Sequence, residues 1–409
     1  MHHKNKQFYY YLLGVFLYLS LIGGFIINEN SSGGAYGDYL TNKEIIYKFS
    51  TNFFETLVHF DKENTRHSPF LYLILSLFKK IELSDLNIRI INLHFLLLTI
   101  FFFYRCLKIK FYNYNNLNLY LISLLLFLSP TFRSLSIWPD SRLYGLLFFI
   151  ISIYFYLNFI KEKDKNKKFN FALLNTFYLC LASYFSPNFS LFVIYYLLSF
   201  FYHYKINKYF FYIILLNFFL SLPAIYYVFY LKIFFFLNSA SAAGKSLIAL
   251  NPANKIILIS SIILFHYIPF FFVTKNKFKI NFNYLLISGI TLVISIYFFN
   301  YNLNFTGGGI IYKLSNILFN NNYFLFFFSF LGLLLLFNLC YKKISNFILI
   351  LLIILGNPQL EIYHKYYDPM LLVMFFTLFN ISFDSQLLKN RIVIFYAFSF
   401  LFLIANFMR

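Results

Sequence analysis

Phe8-Tyr9-Tyr10-Tyr11-Leu12-Leu13-Gly14-Val15-Phe16-Leu17-Tyr18-Leu19-Ser20-Leu21-Ile22-Gly23-Gly24-Phe25-Ile26-Ile27 carries no charged residue. A helix rises about 1.5 Å per residue, so a run of about 20 residues covers the roughly 30 Å of hydrocarbon in a bilayer. The segment before it, Met1 to Gln7 with Lys4 and Lys6, resembles the charged start of a signal peptide. The apolar run is longer than the roughly 7 to 15 residues of a signal core and has no clear small-x-small cleavage site, which predicts an uncleaved first span at 8–27.

The remainder of the chain repeats this pattern. Of 409 residues 60% are hydrophobic, 24% aromatic and 12% charged, with 62 Phe, 37 Tyr and a mean hydropathy of +0.68. Soluble domains carry about a quarter charged residues, so this composition excludes a water-soluble globular protein. Further spans are predicted near 88–107, 117–132, 143–160, 169–185, 189–201, 209–231, 256–273, 282–299, 323–340, 344–355, 370–383 and 393–407. The predicted fold class is all-α: a polytopic integral membrane protein with about 11–13 transmembrane helices. One membrane domain, 1–409, then divides into the first helix, a polar loop at 28–87 and a helix bundle at 88–407. Within the loop the amphipathic run Phe70 to Phe78 is too short to span and predicts a helix lying at the interface.

A net charge of +20 would point to nucleic acid in a soluble protein. Here the basic residues sit in short clusters between apolar runs. With the N-terminus in the cytoplasm, the inside loops 1–7, 105–110, 161–168, 203–208, 274–279, 341–343 and 383–391 hold 19 Lys and Arg. The short outside loops and Arg409 hold 8, in agreement with the positive-inside rule. Of the 14 acids only Glu162, Asp164 and Asp384 fall inside. Acids do not set topology, so their segregation suggests chemistry on the outer face. Cys106, Cys180 and Cys340 have neither disulfide-framework nor zinc spacing.

Three polar clusters come to that outer face. The first loop holds Asp38, Glu44, Glu55, Asp61 and Glu63 and the run Thr65-Arg66-His67-Ser68-Pro69-Phe70-Leu71-Tyr72. A carboxylate beside a bilayer with His and Arg nearby suits a general base for a hydroxyl acceptor; the bland reading is a solvated loop. The second is Arg133 with Trp138-Pro139-Asp140-Ser141-Arg142-Leu143-Tyr144, and the third is Glu361-Ile362-Tyr363-His364-Lys365-Tyr366-Tyr367-Asp368-Pro369. The guanidinium fork and the lysine point charge suit a phosphate, whereas Trp, Tyr, Lys and Arg also serve as interfacial anchors. Arg89 lies just inside the span at 88–107, where an ionisable group is by default functional unless it snorkels. The segment Ser239 to Ser246 ends in Gly-Lys-Ser but lacks the first glycine and a preceding strand of a phosphate loop. Gly307-Gly308-Gly309 reads as a flexible turn without dinucleotide context.

In their order along the chain, these clusters resemble the GT-C glycosyltransferases that use polyprenyl-phosphate sugars, the branch of the protein O-mannosyltransferases and the lipid A aminoarabinose transferases. Gly37-Asp38-Tyr39 stands for that family's first-loop Asp-Glu pair, with Tyr in place of Glu. Arg66-His67-Ser68-Pro69-Phe70-Leu71-Tyr72 stands for its His-Pro-Pro-Leu-Tyr segment on an interfacial helix, with Ser replacing one Pro. Asn87-Ile88-Arg89-Ile90 matches an Arg-led span, Ser141-Arg142-Leu143-Tyr144 an Arg-x-Tyr element, and Lys365-Tyr366-Tyr367-Asp368-Pro369 a late Lys-Tyr…Pro element. The similarity covers residues 8–200 and the Lys365 region.

The resemblance implies a bacterial inner-membrane enzyme with its site on the extracytoplasmic face. It would move a sugar from a polyprenyl-phosphate donor to a hydroxyl on a glycan, lipid or protein. Asp38 would be the catalytic base, with Asp61 next in line; Arg89, Arg142 and Lys365 would hold the donor phosphate. His67, Trp138, Asp140, Tyr144 and Tyr366 would line the substrate site. Family members differ in their need for a divalent cation such as Mg or Mn, for which Asp61, Asp140 or Asp368 would supply oxygen. A lipid-linked saccharide flippase or other transporter is the alternative, and a structural membrane scaffold a third reading. Transporters favour paired repeats and mid-bilayer ionisable groups, whereas the mid-span regions here are nearly free of charge.

Overall fold

The computed structural model describes residues 2–63, 65, 67–233, 251–275, 281–302, 307–357 and 359–407. Arg66 and the Ser239–Ser246 segment lie outside these. Among the described residues 80% are helical and no strand forms. The chain divides into two compact units, residues 1–235 with 392–409, and residues 236–391.

The first unit begins with α1 (His2–Ile26), α2 (Ala35–Thr51), the short α3 (Phe53–Val58), α4 (Phe70–Lys80), α5 (Asp85–Leu96) and α6 (Leu98–Lys110). Helices α5 and α6 run on as one apolar stretch, Asp85–Lys110, long enough to cross a membrane. Then α7 (Asn116–Leu124) passes through a 3₁₀ turn into α8 (Pro130–Ile137) with a bend of 66°. Ser129 explains the bend: its hydroxyl accepts from the Phe132 amide as an N-cap, and Pro130 behind it lacks the amide needed to continue the preceding helix. The predicted span at 117–132 is therefore a broken one. Next, α9 (Ser141–Lys161) and α10 (Lys165–Phe185) form a tight hairpin; Asp140 caps α9 and Asp164 caps α10. α11 (Phe192–Tyr204) and α12 (Lys208–Ile225) follow.

The second unit contains α13 (Pro252–Tyr267), α14 (Phe282–Tyr297), α15 (Gly309–Phe319), α16 (Tyr323–Cys340), α17 (Ile344–Leu355) and α18 (Met370–Thr377). α13 and α16 make its most extensive helix pair. The last helix, α19 (Ser385–Phe407), starts here and belongs to the first unit from Ile392 onward.

Among the described residues, seven helices are long and apolar enough to cross a membrane, or eight if the bent pair α7–α8 is one span: Phe8–Ile26, Asp85–Lys110, Ser141–Lys161, Lys208–Tyr230, Pro252–Phe272, Tyr323–Cys340 and Ser385–Phe407. The chain is thus a multi-pass membrane protein by length and composition, with fewer full-length helices than the 11–13 expected. The remaining predicted spans are the bent pair, the more polar α10, and helices of 8 to 16 residues such as α11, α14, α17 and α18. Apolar content marks a segment as buried in protein or lipid without fixing where a helix breaks.

Helix α4 carries the amphipathic run of the first loop. Its inward residues Leu71, Tyr72, Leu75 and Ser76 recur at helical spacing and are buried. They pack on α2, while Phe70 meets Tyr184 and Phe185 of α10 at ring distances of 5.6 and 4.8 Å. The stripe of this helix is covered by protein.

Candidate functional site

Helix α2 presents Asp38 in its first turn and Asn42 one turn later, on the same face. The start of α9 comes to meet them. Arg142 donates through Nη2 to Asp38 Oδ2 at 3.0 Å and to Asp140 Oδ2 at 2.5 Å, and through Nε to Asp140 Oδ1 at 2.8 Å. Asp140 also accepts the Arg142 backbone amide at 2.8 Å, so one carboxylate both caps the helix and grips the side chain that follows. The geometry is the fork-on-carboxylate pairing that arginine favours. Exposure separates the two acids: Asp38 keeps 37% of its side-chain surface, Asp140 only 3%. An incoming hydroxyl can reach Asp38, while Asp140 holds Arg142 from beneath.

His67 completes the group from the other side. Its Nδ1 lies 3.0 Å from Ser141 Oγ, and its backbone amide donates to Thr65 Oγ1 at 3.2 Å. Behind it, fully buried Tyr72 donates to Asn42 Oδ1 at 2.7 Å and pairs with Thr65 Oγ1 at 3.1 Å. Burial is the chief cause that pushes the Tyr72 phenol above its ordinary range, with Asp140 and Asp38 adding to it. The phenol remains a hydrogen-bond donor and ties α2, α4 and the His67 segment into one frame. Tyr72→Phe is expected to cost about 1–3 kcal/mol, because it leaves the Asn42 acceptor buried without this donor. A fall in the thermal midpoint of the detergent-solubilised protein would register it, and an unchanged midpoint would show that Tyr72 does not hold α2, α4 and the His67 segment together.

Arg89 and Trp138 are drawn into packing next to this group. The Arg89 guanidinium carbon stands 3.7 Å from the Trp138 ring centroid and 4.8 Å from that of Phe25. It also donates to Ile137 O at 3.2 Å and to Asn28 Oδ1 at 2.8 Å. Trp138 is 4% exposed, donates its indole N–H to Glu29 O at 2.9 Å, and is flanked by Tyr36 and Tyr39. Burial pushes the Tyr39 phenol up to about 12, helped by Asp85 and opposed by Arg89, so Tyr39 is protonated at neutral pH. Tyr144 is buried in a stack between Phe95 and Phe185 at 5.7 and 5.2 Å. Both Trp138 and Tyr144 thus have protein on their ring faces.

Beneath Trp138 lies an ion pair of which the sequence reading singled out Arg133 but not Glu29. Glu29, just past α1, accepts Arg133 Nε at 2.8 and 3.0 Å and Nη2 at 2.6 Å; the two side chains are 0% and 5% exposed. Ser31 donates to Glu29 Oε1 at 2.6 Å, and Arg133 also donates to Ser20 Oγ, Ser20 O and Phe127 O. A Cβ at Gly24 would run into the Glu29 carboxylate, so glycine is required where this ion pair meets α1. The available cue was an acid directly after one apolar run and an arginine at the break of another, which are charges that demand partners.

Asp61 lies in the 3₁₀ turn Phe60–Glu63, where it acts electrostatically on the Tyr227 phenol. Lys365 and Tyr366 belong to the second unit. The Lys365 ammonium lies 5.2 Å from the Tyr363 ring centroid, and Tyr366 donates to Gln359 Oε1 at 2.9 Å. Among the described residues, no group of three His, Cys, Asp or Glu is placed to hold a metal ion. Arg142 Nη2 bridges Asp38 and Asp140, in the space a cation between these acids would need. Asp38, His67, Asp140, Ser141 and Arg142 form one constellation that can accept a proton at Asp38 and offer a guanidinium to an anion. Comparison with protein-family models, curated proteins and solved structures finds no match to this chain.

Proposed function

We propose that the chain is a membrane glycosyltransferase that moves a sugar from a polyprenyl-phosphate-linked donor to a hydroxyl acceptor on the extracytoplasmic face of a bacterial inner membrane. One observation carries the reading: the partly exposed Asp38 carboxylate is bound to Arg142 Nη2 at the head of a membrane-length helix. The donor phosphate competes with Asp38 for that nitrogen. When the phosphate takes it, Asp140 still grips the guanidinium through Nε, and Asp38, having given up that nitrogen, acts as base. The acceptor oxygen then bonds to the anomeric carbon, the bond from that carbon to the phosphate oxygen breaks, its proton passes to Asp38, and polyprenyl phosphate leaves. Arg142 stabilises the charge that gathers on the leaving oxygen, and the Ser141 hydroxyl orients the His67 ring toward the same place.

Mass spectrometry of envelope glycolipids, glycans and glycoproteins tests this in cells with and without the gene. The expected result is a sugar missing from one acceptor class in the deletion strain, with the unused polyprenyl-phosphate sugar accumulating and restored to normal by wild type. Identical glycan profiles would reject the transferase reading. Accumulation of the lipid-linked sugar on the cytoplasmic leaflet alone would replace it with a flippase.

A further inference from the structure

Two histidine rings meet inside the second unit, far apart in sequence and on different elements. His266 lies near the end of α13 and is 8% exposed; His364 opens a 3₁₀ turn before α18. Their ring centroids are 4.8 Å apart, and Phe265 closes one side of His364 at 5.4 Å. The backbone of Gly309, first residue of α15, runs up to the same ring: a Cβ there would stand 3.8 Å from His364 Nδ1 and would press into Ile262 at 2.9 Å. Gly307, Gly308 and Gly309 all have positive φ, and the Gly308 amide donates to Ile362 O at 2.8 Å, which docks the turn two residues before His364. Lys313 follows Gly309 by four residues and so lies one helical turn above it on the same face. Its charge is felt at His364, whose proton affinity is held well below the ordinary range first by burial, then by His266 and Lys313.

Two imidazoles therefore meet beside the first turn of an eleven-residue helix, with Lys313 one turn along its face, and the leading amides of that helix lack intrahelical acceptors and favour negative charge. Glu361, the acid nearest in sequence, accepts the Tyr363 hydroxyl at 2.9 Å. A planar monoanion would meet this cluster with two oxygens in one plane. A tetrahedral dianion can meet the imidazoles, the ammonium and the helix end from separate directions.

We propose that His266, His364 and Lys313 form a binding site for a phosphate dianion, with the Gly307–Gly309 turn bringing the head of α15 against it. The ligand is either the headgroup of a lipid phosphate or free inorganic phosphate. The site is built within residues 251–391 and does not depend on the transferase reading.

The test measures binding to the purified full chain in detergent by phosphorus NMR line broadening and titration. The probes are geranyl phosphate and inorganic phosphate, with geraniol read as a competitor of geranyl phosphate, against wild type and Arg142→Ala, and against Lys313→Met and His364→Asn each made in the Arg142→Ala background. Geranyl phosphate should bind at least about tenfold tighter than geraniol, and Lys313→Met and His364→Asn should each weaken it by at least about tenfold. Arg142→Ala should leave this binding event in place, which separates it from the site in the first unit. Inorganic phosphate binding as tightly as geranyl phosphate would assign the site to free phosphate, and binding about tenfold weaker to a lipid headgroup. Lys313→Met leaves the buried ring pair intact, so it remains informative if His364→Asn does not fold. Undiminished affinity in a folded Lys313→Met, Arg142→Ala protein, equal binding of geraniol, or complete loss of binding in Arg142→Ala would overturn the proposal.

Discussion

Asp38→Asn should lower sugar transfer by about 100- to 10,000-fold, the range typical of a lost general base, while the protein stays inserted and folded. The substitution is close to isosteric, and the amide oxygen can still accept from Arg142 Nη2, which now sits 3.0 Å from Asp38 Oδ2. What the amide cannot do is take the acceptor proton. Asp38 retains 37% side-chain exposure, so the loss cannot be assigned to an emptied core. Asp61→Asn is the control, since Asp61 is also on the first loop but sits in a separate turn beside Tyr227. Initial rates at saturating acceptor, with donor binding measured separately, distinguish the chemistry from the binding. If Asp38→Asn transfers at the wild-type rate while Asp61→Asn is silent, the base is Asp61. Full activity in both variants would end the proposed mechanism.

The constellation was partly visible in the sequence because its members carry chemistry in an otherwise apolar chain. Asp38, His67, Asp140 and Arg142 stand out among runs of Phe, Leu and Ile, and the structure brings all four to one place. Their pairing was not visible. Asp38 and Arg142 lie 104 residues apart, and only the packing of α2 on α8, the helix that leads into α9, selects that partner rather than another. The same holds for Arg89, which reads as a lone charge in a span and turns out to bridge Asn28, Ile137 and the Trp138 face. Helix breaks were hidden for a different reason. At Ser129-Pro130 the flanking residues Leu124 to Leu128 and Phe132 are all buried apolar groups, so hydropathy stays high through a 66° bend. The cap and the proline mark the break locally, and a reading based on apolar runs passes over them.

Glu29 and Arg133 give the largest expected effect on stability. Glu29→Ala would leave a guanidinium at 5% exposure without its carboxylate, and stranding one member of a buried ion pair costs about 3–5 kcal/mol. Arg133→Met would strand the opposite charge and cost a similar amount. The double variant Glu29→Leu, Arg133→Met removes both charges and refills the space with apolar groups, a change that is often close to neutral. The expected order of thermal midpoints is therefore wild type and double variant near each other, with both single variants far below. This order separates a pair held together by mutual need from one in which either side chain contributes by packing alone, since packing losses would make the double variant the least stable. The pair also holds the end of α1 to α8, and the Glu29 carbonyl accepts the Trp138 indole, two residues before Asp140. A single variant that still folds should thus lose the alignment of Arg142 with Asp38 and lower transfer, whereas the double variant should recover stability more completely than activity. Equal midpoints for wild type and both single variants would show that neither charge depends on the other, and Glu29 would then be removed from the account of how the site is held.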